Sequence, residues 1–381
     1  MMLRNFRLNP KKVMPKVKET TLEIDLKALQ HNYDYLKSRL SSSTKFLGVV
    51  KAFAYGSDSV VIAKKLESLG ADYLAVAYTS EGIVLRDADV KTPILVLHPL
   101  AASFKTIIES CLEPNIYSFN TLNDFIKVAE EENQIDYPIH IKFNTGLNRL
   151  GFNFKNTDGV IEILSKTNAV KVKSVFSHMA ASEDLNQKIF TQKQIEVYKS
   201  IVSQMENQLG YDFIKHMCNT SGILNYPEAH FDMVRSGIGL YGFGNSAKQN
   251  KHFTPIGRLK SIISQIHELK AGESLGYNMA FVAKKPIKTA TIPIGHADGI
   301  GRQYGKGKGF VIINNQPAHI IGNVCMDMIM VNVTNIGCKE GDEVVVFDAN
   351  NTAESLAATA NTISYEIITA ISQRIKRVVI E

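Results

Sequence analysis

Short apolar runs alternate with longer amphipathic stretches over the first two thirds of this 381-residue chain. The apolar runs have the length of buried β-strands, and the stretches between them, such as VVIAKKLESLG, carry apolar residues at helical spacing. Strands joined by crossover helices predict a parallel sheet, and eight of them within about 200 residues favour a parallel (β/α)8 barrel of the TIM type. A doubly wound open sheet is the alternative that the pattern leaves open. The eight candidates are 47–52, 73–78, 93–98, 115–119, 139–144, 172–178, 213–219 and 233–239.

The pattern changes after about residue 252. Runs such as IKTATIPIG, GFVIINN and EVVVFD follow one another with short turns, and no helical stretch appears until ESLAATANTISYEIITAISQRI near the end. These runs predict a mostly antiparallel β-domain with a C-terminal helix. We therefore expect a basic tail at 1–18, a barrel at 19–251 and a β-domain at 252–381. The early strand candidate TLEIDL (21–26) could instead join the second domain.

The basic surplus of the chain lies within its first 18 residues. Six Lys and Arg residues and no acidic residue occur there, which equals the whole formal net charge of +6. The remainder is neutral, so we expect no nucleic-acid partner. No 18 apolar residues run together, so we also expect no membrane span. The four cysteines follow no metal or paired spacing, which predicts free thiols, no metal site and a cytoplasmic location.

Polar residues punctuate the ends of several apolar strand candidates. Lys51 lies at the end of the first, His178 ends the sixth, Asn219 ends the seventh and Arg235 lies in the eighth. Because the carboxyl ends of barrel strands converge on one rim, we expect these side chains to meet in a site. A lysine there is partly desolvated, which lowers its pKa and suits it to be a Schiff-base nucleophile.

The loops after the last two strand candidates have the composition of a phosphate site. NTSG (219–222) and RSGIG (235–239) offer hydroxyls and backbone amides, and barrels commonly bind phosphate at this position. A Schiff-base lysine facing a phosphate site suggests pyridoxal 5′-phosphate (PLP) as cofactor. Taken singly, however, a strand-end lysine is usually solvated and a lone histidine usually satisfies a core hydrogen bond, so these residues alone leave the function open.

The segment VVKAFAYG resembles the lysine signature of the alanine racemases, a family of PLP-dependent enzymes of fold type III. The resemblance extends from about residue 20 to the C-terminus, with the family's motifs in the family's order. Any one motif is a weak signal, whereas the combination is specific. The further motifs are IKFNTGLNRLGF, FSHMA, CNTSG, VRSGIGLYG, GYNMAF, GHADGIGR, GNVCMDMIMV and SYEIITAISQRIKR.

The resemblance implies that the chain interconverts L-alanine and D-alanine through a PLP aldimine and supplies D-alanine for peptidoglycan. It implies two bases, one on each face of the substrate. Lys51 would carry the cofactor and act as one base. Tyr277, supplied by the other subunit of a homodimer, would act as the opposing base.

The resemblance also assigns binding roles. Arg149, Met326 and Asp327 are expected at the substrate, and Lys142 is a candidate for carbamylation. Arg235 is expected to face the pyridine nitrogen. The ten residues expected to bind the cofactor are Lys51, Tyr55, Arg149, His178, Asn219, Thr220, Arg235, Gly237, Ile238 and Tyr365.

Departures from the family's pattern keep some alternatives open. Phe53 and Asn144 stand at positions where the family usually has asparagine and aspartate, and these changes leave the chemistry intact. His296 stands where tyrosine is common, at the expected entrance to the site, so a broader-specificity racemase, for example of serine, is an alternative. A barrel decarboxylase would face the ring nitrogen with a carboxylate, which Arg235 disfavours. A non-enzymatic PLP carrier would be a single barrel, which the second domain disfavours.

Overall fold

The computed structural model describes residues 20–381, and the basic tail expected at 1–18 lies outside them. After strand β1 (Thr21–Asp25) and helix α1 (Leu26–Lys37), eight parallel strands follow. Each strand from the first to the sixth pairs with its successor, and the eighth pairs with the first, which confirms the TIM-type barrel. Backbone hydrogen bonds from Asp232 N to Lys215 O (3.0 Å) and from Arg235 N to Cys218 O (3.1 Å) close the ring. The strands are β2 (Lys45–Val49), β3 (Tyr73–Val76), β4 (Ile94–Val96), β5 (Glu113–Ile116), β6 (Tyr137–Lys142), β7 (Val170–Phe176), β8 (Ile214–His216) and β9 (Met233–Ser236).

The helices of the barrel bury one apolar face each. Helix α8 (Lys188–Leu209) buries Ile195, Tyr198 and Ile201 at helical spacing, while its exposed residues from Lys193 onward are polar. Within the described residues, no helix combines the length and the apolar character needed to cross a bilayer. The other helices of this part are α2 (Lys51–Gly56), α3 (Ser59–Ser68), α4 (Thr79–Asp87), α5 (Phe104–Glu109), α6 (Phe119–Glu131), α7 (Thr157–Leu164), α9 (Thr220–Asn225) and α10 (Ala247–Asn250).

The second part of the chain is built on one large sheet. Its strands are β10 (Gly257–Ile262), β11 (Gln265–Leu269), β14 (Ile287–Ile292), β15 (Phe310–Ile313), β16 (Gln316–Ile321), β17 (Ile329–Asn332), β18 (Glu343–Phe347) and β19 (Lys376–Ile380), together with β1. The order is β11-β14-β17-β16-β15-β18-β10-β1-β19, antiparallel except for the pair β1–β19. Two short strands, β12 (Ser274–Leu275) and β13 (Phe281–Val282), pair with each other beside it. The mostly antiparallel β-domain is therefore confirmed.

The ends of the described chain differ in detail from the expectation. Strand β1 pairs with β10 and β19, so residues 21–25 belong to the second sheet and not to the barrel. The C-terminal helical segment forms two short helices, α11 (Ala353–Ala358) and α12 (Ser364–Thr369), rather than one. Asn361 lies between them with φ 54°, a left-handed conformation that ends a helix. The chain then continues into β19, because β1 offers an edge with which a β-branched segment can pair.

Candidate active site

A cavity of about 660 Å³ opens at the carboxyl ends of the barrel strands. All ten residues expected at the cofactor line it, and so does Lys142. The site predicted from the strand ends is thus brought together in one place. Ser221 of the predicted NTSG loop lines the cavity too, and so do Tyr78, His98 and Asn245, which the sequence had not singled out. Tyr277, Met326 and Asp327, in contrast, are not among the lining residues of the described chain.

Lys51 begins helix α2, which is a single turn of left-handed helix. Four consecutive residues without a glycine, 52–55, have φ between 51° and 54°, a conformation that costs about 1–2 kcal/mol per residue. Glu81 holds this turn in place. Its carboxylate accepts hydrogen bonds from Ala52 N and Ala77 N at 2.6 Å and from Tyr78 N at 3.2 Å. Such strain persists only where the surroundings enforce it, and it lets Lys51 reach the cavity while Tyr55 is buried.

Both lysines of the cavity have lowered pKa values. Burial lowers the pKa of Lys51, the Arg149 guanidinium lowers it further, and Glu81 opposes this. Burial also lowers the pKa of Lys142 to about 7, with Arg235, Arg149 and Lys51 acting in the same direction. The Lys142 amine is therefore partly neutral near pH 7, and a neutral amine is the nucleophilic form.

Arg235 is 5% exposed, and hydrogen bonds to the protein hold its guanidinium. Its guanidinium donates to His216 Nδ1 (2.7 Å), His178 Nδ1 (3.0 Å) and Ser177 O (2.8 Å). Because a guanidinium only donates, both histidines present an unprotonated Nδ1. Burial, and after it the charge of Arg235, lowers the pKa of both histidines well below the usual value. Burial lowers the pKa of Arg235 itself to about 10, so it stays a cation at neutral pH.

Hydroxyl groups and the backbone of a glycine form another part of the cavity lining. A Cβ on Gly237 would lie 2.2 Å from Tyr55 Oη, so only glycine allows this approach. Burial raises the pKa of Tyr55 above its usual range and raises the pKa of Tyr365 to about 12, so both phenols are neutral donors. Tyr55 stacks on Tyr241 with ring centroids 4.4 Å apart. The Thr220 hydroxyl is bonded to Ser236 Oγ at 3.0 Å. Neutral donors around an open backbone suit a phosphate group.

Arg149 is positioned by the loop that follows β6. Asn144 organises this loop, since its Oδ1 accepts from Gly146 N (3.1 Å) and Asn148 N (2.9 Å). Gly151 (φ 124°) allows the chain to return against β6, where a Cβ would lie 2.7 Å from the backbone. The amide oxygen of Asn144 thus accepts the two backbone hydrogen bonds that a carboxylate at this position could accept, which fits the expectation that this departure leaves the chemistry intact.

The residues expected on the substrate side lie on the second domain and are exposed. Tyr277 is 73% exposed and Met326 is 59% exposed. Asp327 accepts from Arg374 (2.7 Å), which also donates two bonds to the buried Asp298. Backbone bonds from His296 N to Cys325 O (2.9 Å) and from Ala297 N to Met326 O (3.0 Å) join the His296 turn to the Met326 loop.

Three residues that support the site were missed by the sequence reasoning. Glu81 stands three residues after Tyr78 at the start of α4, the spacing of a capping glutamate, which is the signal that could have found it. His216 is a polar residue within the apolar candidate FIKHMCN, a signal of the same kind as His178. Tyr241 supports Tyr55 by stacking, and nothing in its local pattern distinguishes it from a core tyrosine.

Known families account for nearly the whole chain. The family profile described as alanine racemase, N-terminal domain, matches residues 24–244. The profile described as alanine racemase, C-terminal domain, matches residues 256–379. The chain belongs to the alanine racemase family.

Individual alanine racemases resemble the chain over both domains. Alanine racemase 1 of Clostridium acetobutylicum is 35% identical over 370 residues, covering 94% of this chain and 95% of its own length. The structure of alanine racemase from Clostridium difficile 630 superposes with a TM-score of 0.89 at 33% identity, covering 95% of this chain and 96% of its own. That of Bartonella henselae alanine racemase with covalently bound pyridoxal phosphate gives a TM-score of 0.86 at 28% identity, with 95% and 99% coverage.

Proposed function

We propose that this chain interconverts L-alanine and D-alanine with PLP bound covalently to Lys51, as a cytoplasmic homodimer that supplies D-alanine for peptidoglycan. Membership of the alanine racemase family, whose enzymes are isomerases, carries the reaction. The observation that carries the cofactor is the single cavity that contains a lysine of lowered pKa, a donor-only arginine and a cradle of neutral hydroxyls. The Bartonella henselae relative, described with covalently bound pyridoxal phosphate, supports the same attachment here.

The lining residues fit the parts of PLP one by one. Tyr55, Tyr365 and the backbone at Gly237 suit the phosphate, and Lys51 suits the aldehyde carbon. When bound, PLP withdraws electrons from the α-carbon of the amino acid and so acidifies its α-hydrogen. Arg235 suits the ring nitrogen, and because it only donates, it keeps that nitrogen an unprotonated acceptor. The electron withdrawal is then limited, which disfavours side reactions such as transamination.

Two groups of the protein exchange the α-proton from opposite faces. The Lys51 amine takes up and returns the proton on the D-alanine side, and its lowered pKa suits it to this near neutral pH. Tyr277 exchanges the proton on the L-alanine side. Since Tyr277 does not line the cavity of its own chain, a second copy supplies it.

The surface around Tyr277 supports a homodimer. Met279, Val282 and Met328 are large apolar side chains of the second domain that are 64%, 44% and 46% exposed. Tyr78, at the rim of the cavity, is 53% exposed. Large apolar side chains exposed beside Tyr277 in the sequence, together with one at the rim of the cavity, support an interface between copies.

Arg149 and the Met326 loop are proposed to hold the substrate carboxylate. Arg149 lies in the cavity, and the Met326 loop comes with Tyr277 from the second copy. Lys142 lies near the cations Arg235 and Arg149. Its carbamylation replaces a further cation with an anion, and this anion orients Arg149. The lowered pKa of Lys142 supports this proposal, because only the neutral amine adds CO2.

The experiment that tests the proposal is purification, an absorbance spectrum and a chiral assay over L-alanine, L-serine and larger amino acids. Borohydride reduction followed by peptide mapping is expected to place a pyridoxyl group on Lys51. A pyridoxyl group on Lys142 would refute the assignment within the cavity, and a colourless protein inert on every amino acid would refute the function.

A further inference from the structure

A chain of hydrogen bonds crosses the interior of the barrel and ends at Arg235. It starts at Glu113, the first residue of β5, and passes through β6, β7 and β8 to β9. His140, Ser174 and His216 are completely buried within it. Its bonds are Glu113 Oε2 to His140 Nε2 (2.6 Å), His140 Nδ1 to Ser174 Oγ (2.6 Å), Ser174 Oγ to His216 Nε2 (3.0 Å) and His216 Nδ1 to Arg235 (2.7 Å). Barrel interiors are usually filled with branched apolar residues, so a polar path through one requires an explanation.

The direction of every hydrogen bond in this path follows from its two ends. Arg235 only donates, so His216 Nδ1 accepts and His216 Nε2–H donates to Ser174 Oγ. The hydroxyl of Ser174 then donates to His140 Nδ1, and His140 Nε2–H donates to the Glu113 carboxylate. Both histidines are neutral and carry their proton on Nε2. A proton on His140 Nδ1 would leave the buried Ser174 hydrogen without either of its two acceptors among the described residues.

The path connects a buried cation to a distant anion. Cys218 and Tyr198 are the groups near Arg235 that would be anions if they lost a proton. Burial raises the pKa of both, so neither is ionised at neutral pH. Glu113 is the acidic end of the path, with its side chain 13% exposed. Burial, and after it the charge of Glu113, raises the pKa of the neighbouring Tyr73 above its usual range. Successive hydrogen bonds of one direction polarise one another. The hydrogen atom of each donor in the path is thereby attracted in the direction of the Glu113 carboxylate.

We infer that Glu113, His140 and Ser174 are positioning residues for the racemisation reaction. They act through His216, which they hold in its Nε2–H form, so that its Nδ1 fixes the Arg235 guanidinium as a donor toward the ring nitrogen. This inference rests on the proposed function for the role of Arg235. It implies that Glu113, at the start of β5, influences how strongly the cofactor withdraws electrons at the active site.

A first test measures the histidine tautomers in the full chain, with and without PLP, by nitrogen NMR of histidine-labelled protein. We expect His140 and His216 to be neutral and protonated on Nε2. Ser174→Ala removes the acceptor of His216 Nε2–H, so the signal of that proton is expected to shift. Ser261→Ala, which removes a buried serine of the second sheet bonded to Thr20, is the matched control and is expected to leave the signal unchanged. An Nδ1-protonated His140 or His216, or an unchanged His216 signal in Ser174→Ala, overturns the inference.

A second test measures kinetics in the PLP-loaded enzyme. Glu113→Gln and Ser174→Ala are each expected to lower kcat about tenfold, with the KM of alanine changed less than about twofold, and to shift the absorbance maximum of the bound PLP. Because a path broken at one bond no longer transmits from the other end, the double variant is expected to be no slower than the slower single variant. Glu67→Gln, at a carboxylate bonded to Thr92 away from the path, is expected to retain full kcat. The inference is overturned if the fold-losses in kcat of the two single variants multiply in the double variant. It is also overturned if both single variants keep the kcat and the absorbance spectrum of the unmodified enzyme.

The two proposals fail separately. The histidine tautomers are measured without PLP, so they test the path whatever reaction the protein catalyses. The mapping of the pyridoxyl group to Lys51 does not involve the path. A labelled Lys51 with the wrong tautomers therefore leaves the proposed function intact and rejects the path. The expected tautomers with no label on Lys51 would leave the hydrogen-bonded path intact and reject the proposed function, and with it the role of the path in racemisation.

Discussion

The barrel and the second domain contribute to the proposed reaction in different physical states. The residues expected at the cofactor line one cavity, and the central one among them, Arg235, is 5% exposed and donates to four acceptor atoms. Tyr277 and Met326 of the second domain are mostly exposed and lie outside that cavity. One half of the proposed site is thus preorganised within a single chain, whereas the proposal needs a second copy to bring the other half to it.

This difference separates two kinds of constraint. Burial lowers the pKa values of Lys51, Lys142, His178 and Arg235, so the barrel sets the charge state of these four groups in the cavity. The second domain supplies position. In the proposed dimer its residues act where the second copy places them, and within one chain the hydrogen bonds to Cys325 O and Met326 O fix the position of the Met326 loop.

Removal of the phenol oxygen of Tyr277 is the strongest test of the exposed half. Tyr277→Phe is expected to lower racemisation about a thousandfold while PLP binding survives, because all ten residues expected at the cofactor line the cavity without Tyr277. Exchange of the α-proton with solvent is expected to persist for D-alanine and to fail for L-alanine, as measured by mass spectrometry. Tyr35→Phe, on the outside of the barrel, is the control with unchanged activity. Equal loss of exchange for both enantiomers would show that Tyr277 is not a face-specific base.

Mixing of two inactive variants tests whether the halves come from different copies. Lys51→Ala and Tyr277→Phe each inactivate both sites of their own dimer. In a mixed dimer one site receives both intact residues, so subunit exchange of equal amounts is expected to restore about a quarter of the unmodified activity. Exchange is verified with a size or affinity tag on one variant. Verified exchange without any return of activity would contradict the shared site.

The carboxylates bonded to Arg374 test how the second domain holds its loop. Asp327→Asn is expected to raise the KM of alanine about fivefold with little change in stability, because its ion pair is exposed. Asp298→Asn is the matched variant, since Asp298 accepts two bonds from Arg374 and its side chain is 4% exposed. It is expected to cost about 2 kcal/mol in the free energy of unfolding, measured by urea denaturation. An Asp327→Asn enzyme with normal KM would remove Asp327 from the substrate site.

Lys142 gives the smallest expected effect, and it is specific to the barrel half. Its pKa is lowered to about 7 in the folded chain, so between pH 7 and the unfolded value near 10.5 the unfolded state binds more protons. In CO2-free buffer, Lys142 therefore destabilises the folded chain most at or below pH 7, and this destabilisation decreases as the pH rises. Lys142→Met is expected to stabilise the chain on the order of 1–2 kcal/mol more at pH 7 than at pH 9, as measured by urea unfolding.

Bicarbonate provides the control for this last comparison. If Lys142 is carbamylated, added bicarbonate is expected to raise the unfolding temperature of the unmodified chain and to leave Lys142→Met unaffected. An equal response of the two proteins, with full activity and an unmodified Lys142 in peptide mass spectra, would contradict carbamylation.

Much of the barrel could be predicted because its signals are local. Each strand candidate, such as YLAVAY or PILVLH, overlaps a strand of the structure, since a buried parallel strand needs an apolar run and little else. The strand-end rule alone brought Lys51, His178 and Arg235 to one rim. The roles of Tyr55 and Tyr365 came only from the family resemblance, because a tyrosine in an apolar segment has no local signal that separates a ligand from a core residue.

The missing details depend on contacts between distant segments. The left-handed turn at 52–55 exists because Glu81, on another helix, stabilises it. The pairing of β1 with β19 joins the two ends of the described chain, and no local pattern states which edge a strand will meet.

The sequence by itself determined the fold class, the family and the residues that meet at the rim, because apolar periodicity and strand-end chemistry are properties of short segments. Only the tertiary structure decided which of these groups carry charge and which protons they hold. The hydrogen-bonded path from Glu113 to Arg235 draws on five strands separated by up to 122 residues, so its donors and acceptors meet only in the closed barrel. Burial there removes the water that would otherwise satisfy each group, and the protein itself then fixes every proton.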